Sequence, residues 1–304
     1  MLNSFFRRPH LAKPKQRWSC GTITDRVHEL RVSFPKSGSR FRFLALTDLH
    51  WDSAHCDRAF LKKHLDYALN ENAPVVIVGD LFDVMQGKYD PRSDPKTLRP
   101  EHRGSNYFDL ISSTALEWFK PYASILALIT PGNHEASIIK RNEIDLIDRL
   151  THSLRTQHNS PVIYGEDWCY LLQKNDRTTG KADVRTKRIF LHHGYGGGGP
   201  VTKDVIQTNR KAVYLPDADI VISGHTHDRW IFPIARERFL QSGKIEQDEQ
   251  THIKLGSYKY SYAKGNSWER QMGHPPKSDP GVWMTIYIKG KRNKVRRKFE
   301  LAEK

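Results

Sequence analysis

Cysteine is scarce in this 304-residue chain: Cys20, Cys56 and Cys169 are the only three, widely spaced and without a C-x-x-C pair. That excludes a disulfide-stapled secreted module and fits reduced thiols in a cytoplasmic protein. Long apolar runs are missing too. A membrane-spanning helix needs roughly 18 apolar residues, and the best candidates, residues 74–78 and 124–130, are strand-sized. No membrane partner is therefore expected. Arg7 and Arg8 have no apolar stretch behind them, so the start does not read as a secretory signal. There is no repeat array and no glycine loop ending in Gly-Lys-Ser/Thr. Positive charge, by contrast, is plentiful: 49 Lys and Arg against 34 Asp and Glu, a net of +15. An excess of this size points to a polyanionic partner or an anionic substrate. With 38% hydrophobic and 27% charged residues, the chain is globular in composition.

The chain divides into a basic N-terminal arm, residues 1–18, and a single large domain over 19–304. Residues 40–47 begin in alternation and turn apolar, as a strand entering a buried sheet does. Residues 74–78, 124–129, 187–191 and 218–222 read as further buried strands. Helical spacing marks 57–70, 114–119 and 143–154. Strands alternating with helices predict a layered α/β domain. Residues 86–106, rich in Pro, Asp, Arg and Gly, read as an inserted loop, and 282–301 as a terminal basic hairpin.

The informative regularity lies just past the end of each buried strand. In chain order the residues there are Thr47-Asp48-Leu49-His50, Gly79-Asp80-Leu81-Phe82-Asp83, Gly132-Asn133-His134-Glu135, His192-His193-Gly194 and Gly224-His225-Thr226-His227. In open α/β sheets, ligands bind outside the carboxyl ends of the strands, so these side chains are expected to converge on one edge. Carboxylate oxygen, amide oxygen and neutral imidazole suit borderline divalent metals. There are too many for one tetrahedral zinc, but two ions would use them all, and two-metal sites suit displacement at phosphorus.

The set D-x-H, G-D-x-x-D, G-N-H-E, H-G and G-H-x-H, complete and in order, resembles the calcineurin-like metallophosphoesterases. The resemblance spans roughly residues 40–230. It implies a four-layer α/β/β/α sandwich, two mixed sheets flanked by helices, and two divalent ions, Mn²⁺ first, with Fe, Zn²⁺, Mg²⁺, Ni²⁺ or Co²⁺ as alternatives. It implies that Asp48, His50 and His227 hold one ion, that Asn133, His193 and His225 hold the other, and that Asp80 bridges them. His193 is assigned because it directly precedes Gly194; His192 is the alternative. His134 is implied as the catalytic group that faces the substrate phosphate and helps the leaving oxygen depart. Asp83 and Glu135 are expected to orient ligand histidines. The implied chemistry is phosphoester hydrolysis by in-line attack of a hydroxide bridging the ions.

For substrate, the basic excess favours phosphodiester bonds in nucleic acid. Arg92, Lys96, Arg99, His102 and Arg103 lie in the inserted loop, and Tyr89, Tyr107, Trp230, Tyr258, Tyr260 and Tyr262 are candidate base-stacking groups. Gly197 and Gly198, in the glycine run after Gly194, are candidates for contact with phosphate, as are Arg92 and Arg103. The alternatives are a phosphatase or phosphodiesterase of a small substrate (a cyclic nucleotide, a nucleotide or a phosphoprotein) and, third, a non-catalytic scaffold of the same fold. Protein partners and oligomeric state are not legible.

Overall fold

In the computed structural model, the described residues are 17–34, 38–84, 97–177, 186–197, 199, 201–260, 273, 279–289 and 294–303. In chain order the strands are β1 (Trp18–Thr24), β2 (Val27–Phe34), β3 (Arg40–Leu46), β4 (Val75–Val78), β5 (Leu126–Thr130), β6 (Ile163–Tyr164) and β7 (Trp168–Arg177). They continue with β8 (Lys187–His192), β9 (Ile220–Ser223), β10 (Trp230–Phe239), β11 (Ile245–Lys254), β12 (Val282–Lys289) and β13 (Lys294–Leu301). The helices are α1 (Arg58–Glu71), α2 (Tyr107–Phe119), α3 (Asn133–Asn142), α4 (Leu146–His158) and α5 (Val205–Tyr214).

Two mixed sheets result. One runs β13-β12-β3-β4-β5-β6 and the other β1-β2-β7-β8-β9-β11-β10. Strands β3, β4, β5 and β6 are mutually parallel, as are β8, β9 and β11. Their continuous apolar sequences, Val75–Val78 and Leu126–Thr130 among them, are buried throughout because each sheet is covered on both faces there. Phe43, Ala45, Val76, Val78 and Leu128 meet Leu171, Ile189, Leu191, Ile220 and Ile222 between the sheets. On the outer face of the first sheet, Leu44, Leu46, Val75, Ile77 and Leu126 pack against Leu61, Leu65, Ile111, Ala115, Ile147 and Leu150 of α1, α2 and α4. On the outer face of the second, Phe190 and Val221 meet Leu215 and Ala218. This is the four-layer sandwich expected from the motif set.

The helix expected at 57–70 forms with Asp57 as its cap, the carboxylate accepting from Phe60 N at 2.9 Å. The expected terminal hairpin is the antiparallel pair β12 and β13. Three local details differ. β1 begins inside the span assigned to the arm, because Trp18 is buried and donates from Nε1 to Asn72 O. α3 was not expected: its first turn is the Asn133-His134-Glu135 motif, whose residues were chosen by chemistry rather than by helical periodicity. α5 turns its polar side inward, burying Thr208 and Lys211 while Ile206 and Val213 are exposed. The inward groups have polar company, since Asp204, which precedes α5, pairs with the buried Lys254.

Candidate metal centre

The carboxyl ends of β3, β4, β5, β8 and β9 open on one edge, and the loops there carry the five motifs. Asp48 and His50 follow β3, Asp80 and Asp83 follow β4, Asn133 and His134 open α3 after β5, His193 follows β8, and His225 and His227 follow β9. Five of these residues, Asp48, His50, Asp80, His225 and His227, have φ between 44° and 77°. Left-handed backbone is costly for side chains of this kind, roughly 1–3 kcal/mol each, and such strain concentrates at functional sites. Glycines make the approach possible. A Cβ on Gly79 would lie 2.5 Å from the His193 ring, one on Gly132 would collide with Asp80, and one on Gly224 with Thr47 and Asp48.

Among the described residues, ligand atoms converge in three neighbouring groups: Asp48 with His50 and His227, Asp80 with His193 and His225, and His50 with Asp83 and His134. Asp48 Oδ1 is buried without a hydrogen-bond partner, yet His227 Nε2 lies 3.1 Å away and the Nε2 atoms of His50 and His193 each 3.7 Å. Its other oxygen accepts from Thr47 Oγ1 and His225 N, both at 2.9 Å. Asp80 Oδ1 accepts from His134 N at 3.1 Å, leaving Oδ2 at 3.0 Å from His193 Nε2. His193 Nδ1 donates to Val78 O at 3.0 Å and His50 Nδ1 faces Asp83 Oδ1 at 2.9 Å, so on both rings Nε2 is the nitrogen left to take a proton or a metal ion. Asn133 joins through its Oδ1, 2.8 Å from His225 Nδ1.

Acceptors facing acceptors at these distances require a cation or a proton between them. The electrostatics agree. Burial opposes the charged forms throughout, but Asp48 and Asp83 raise His50 to about 10, and Asp80 and Asp48 raise His193 to about 9. His193 and His227 hold the Asp48 carboxyl well below the usual range. The cluster therefore draws positive charge into a buried pocket, and its oxygen and imidazole donors fit two divalent ions.

His134 stands differently. Its Nδ1 lies 2.6 Å from Asp83 O, and Nε2 faces the cluster, 3.7 Å from Asp80 Oδ2. Burial lowers it to about 4, with the carboxylates of Asp80 and Asp83 only partly compensating.

Asp83 contacts His50 as expected. Glu135 does not orient a histidine: its carboxylate is taken up by backbone amides, accepting from Gly132 N and Asp80 N through Oε2 and from Phe82 N through Oε1. The reason is its place in the first turn of α3, where a Glu reaches back to the amides before the helix. It thus shapes the loop that presents Asp80. His192 turns away from the cluster, its Nδ1 accepting from Gly194 N at 3.0 Å, while burial lowers it to about 4. The structure therefore brings His193 rather than His192 to the cluster.

The proposed substrate contacts fare unevenly. Arg92, Lys96, Gly198, Tyr89 and Tyr262 lie outside the described residues. Gly197 is exposed with open space around it. Arg103 is exposed beyond the short turn Pro100–His102. Others expected on a basic or stacking surface are committed to the scaffold. His102 is fully buried and contacts Thr114 Oγ1, Arg99 donates to the carbonyls of Ser53 and Cys56, and Tyr258 is buried against His64. Arg297 donates to Gln173. Periodicity could not separate these from free surface groups, because each contacts a residue far away in sequence.

Sequence reasoning missed Asp52 and Lys259, and it gave no role to Thr47, whose Oγ1 donates to Asp48 Oδ2. Thr47 was visible beside Asp48 as the last residue before the motif. Asp52, which accepts from Asp83 N and Val84 N at 2.5 and 3.0 Å, lies two residues past His50 without a motif to mark it. Lys259 reaches Asp83 Oδ1 at 3.0 Å from a distant segment.

The fold and this centre define a metallophosphoesterase. The calcineurin-like phosphoesterase family matches residues 41–229, and the chain belongs to it. No curated protein matches the sequence. Among solved structures, the chain is similar to a protein from Staphylococcus aureus named a 5′-nucleotidase, at 13% identity and TM-score 0.42, over 86% of this chain and 53% of that one. The chain thus spans about half the length of that relative. It is similar to GAP50, the anchor in the inner membrane complex of Plasmodium, at 14% identity and TM-score 0.42, over 86% and 84%. It is also similar to Vps29 from Entamoeba histolytica, at 12% identity and TM-score 0.28, over 85% and 98%. No helix among the described residues is long and apolar enough to cross a membrane.

Proposed function

We propose that this protein is a two-metal phosphodiesterase whose substrate is nucleic acid. The observation that carries the phosphoesterase reading is the pair of adjoining groups, Asp48/His50/His227 and Asp80/His193/His225, with His134 beside them. Asp48, His50, His227 and Asp80 would hold one ion, and Asp80, Asn133, His193 and His225 the other. Bound divalent ions, Mn²⁺ foremost, would supply Lewis acidity toward a phosphoryl oxygen and a low-pKa water.

The chain's own residues do the rest. Val78 O and Asp83 fix the ring orientations of His193 and His50, so their Nε2 atoms need no rearrangement to bind. Asp83 O fixes His134, directing Nε2 at the space a phosphate would enter. With Nδ1 donating to Asp83 O and burial lowering the ring to about 4, that atom would pass a proton to the departing oxygen only from the imidazolium form, which the negative charge of a bound phosphate would favour. Burial of the cluster excludes bulk water from its floor and strengthens each electrostatic contact.

Net charge supports the nucleic-acid reading: +15 exceeds what a small substrate asks for. Exposed cations also ride on elements that leave the site, Lys140 and Arg141 on α3, Lys203 after the glycine run and Arg210 on α5. The test is one assay series with Mn²⁺ on single- and double-stranded DNA, RNA, cyclic nucleotides and a chromogenic phosphodiester, with His134→Ala as control. Cleavage of DNA or RNA that weakens steeply with salt is the expected result. Turnover of small esters alone would overturn the nucleic-acid assignment and leave the phosphoesterase reading standing.

A further inference from the structure

Asp83 is the joint on which two site histidines hang. Its carboxylate meets His50 Nδ1 at 2.9 Å, and its backbone carbonyl accepts from His134 Nδ1 at 2.6 Å. Beneath it lies a second buried carboxylate, Asp52, which accepts from Asp83 N, Val84 N and Tyr107 OH. Two carboxylates packed together in a water-poor turn repel each other, so cations set against them stabilise the joint.

Beside His50, Lys259 supplies a cation that no metal ion would displace. Its Nζ lies 3.0 Å from Asp83 Oδ1, the same oxygen that faces His50. The lysine is delivered by the segment 255–260 after β11, which belongs to the other sheet. That segment is sewn to the loop bearing Asp48 and His50. Ser257 Oγ and Tyr258 N both donate to Asp48 O, at 2.9 and 3.0 Å, and Tyr260 N donates to His55 O at 2.8 Å. Lys259 N donates to Ser257 Oγ at 2.9 Å, and Lys259 forms an isolated bridge with Cys56. The backbone is thus fixed before the side chain reaches Asp83.

We infer that Lys259 is a positioning residue for the metal centre: by holding Asp83 it fixes His50 as a ligand and His134 as the proton-passing group. None of the five motifs includes it. The inference rests on the metal-binding reading above.

The test is calorimetric titration of the full-length, metal-free protein with Mn²⁺. A group that holds a ligand histidine, as Asp83 holds His50, is worth about 10–100-fold in metal affinity, which sets the upper bound for Lys259 acting through it. Lys259→Met is expected to weaken one of two Mn²⁺ sites by up to that factor, and Lys259→Arg, which keeps a cation and a donor, to stay near the parent. In an Asp83→Asn background, Lys259→Met is expected to add little, because the path through Asp83 is already cut. Thermal unfolding of the metal-free variants checks that each is folded. Unchanged affinity in folded Lys259→Met, or an undiminished penalty in the Asp83→Asn background, would overturn the inference while leaving the two-metal reading intact. A parent protein that binds no Mn²⁺ would overturn both.

Discussion

His193 Nε2 lies 3.0 Å from Asp80 Oδ2, while its Nδ1 lies at the same distance from the carbonyl of Val78. One nitrogen is spent on the scaffold, so the other faces a carboxylate and holds a proton or a metal ion there. A cation between them resolves the contact. Asp80→Asn removes the charge but keeps an oxygen for His134 N. It is expected to leave a folded protein with fewer than two ions per chain, checked by elemental analysis beside a circular dichroism spectrum.

His134 is anchored through Nδ1 and its backbone amide, and it belongs to neither the Asp48/His50/His227 nor the Asp80/His193/His225 group. His134→Ala is therefore expected to keep the parent's metal content. Turnover should fall by roughly 10²–10⁴-fold, the usual worth of a placed proton donor, and most for poor leaving groups. Steady-state kinetics on a pair of esters with different leaving groups measures this. Equal turnover in the two proteins would remove His134 from the chemistry.

Gly224 and Gly132 are spacers. A methyl group on Gly224 meets Thr47 Oγ1 and Asp48 Oδ2, and one on Gly132 meets Asp80 backbone and carboxylate. Overpacking of this kind costs about 1–3 kcal/mol. Gly224→Ala is expected to lose that much stability by urea unfolding and to lose Mn²⁺ binding with it, because the atoms displaced belong to Asp48.

Glu135 accepts from three buried amides. Glu135→Ala strands them, and an unsatisfied buried donor costs about 1–3 kcal/mol. A loss of about 3 kcal/mol in urea unfolding of the metal-free protein is expected. A loss confined to activity, with stability unchanged, would contradict the structural role of this carboxylate.

Lys211, on the inward side of α5, is lowered to about 8 from 10.5, by burial first and then by Lys254, with Asp204 opposing. Between those values the unfolded chain binds more protons than the folded one, so this group makes stability rise as pH rises from about 8 toward 10.5. Lys211→Met is expected to stabilise the protein at pH 7 by about 1–3 kcal/mol and to flatten that rise. Unfolding free energies at pH 7 and pH 10 decide it.

Much of the centre was legible because its chemistry sits at strand ends. Asp48, Asp80, His193 and His225 each follow a short apolar run, and sheet topology alone sends such residues to one edge. The same logic read α1, β4 and the terminal hairpin. It failed where a role depends on a distant partner. Glu135 looked like an aid to a histidine, but the first turn of a helix claims a glutamate for backbone amides. His102, Arg99 and Tyr258 looked like surface groups, yet each is bonded to a segment brought in by the fold. Lys259 lies 176 residues from Asp83, and nothing local marks it. α5 went unread for a simple reason: its apolar residues Ile206 and Val213 face outward and polar groups lie beneath it.

The most direct test is diffraction from crystals soaked in Mn²⁺, with data collected near the manganese absorption edge. The account predicts two anomalous peaks, one among Asp48, His50, His227 and Asp80, the other among Asp80, Asn133, His193 and His225. A single peak, or peaks away from Asp80, would contradict it.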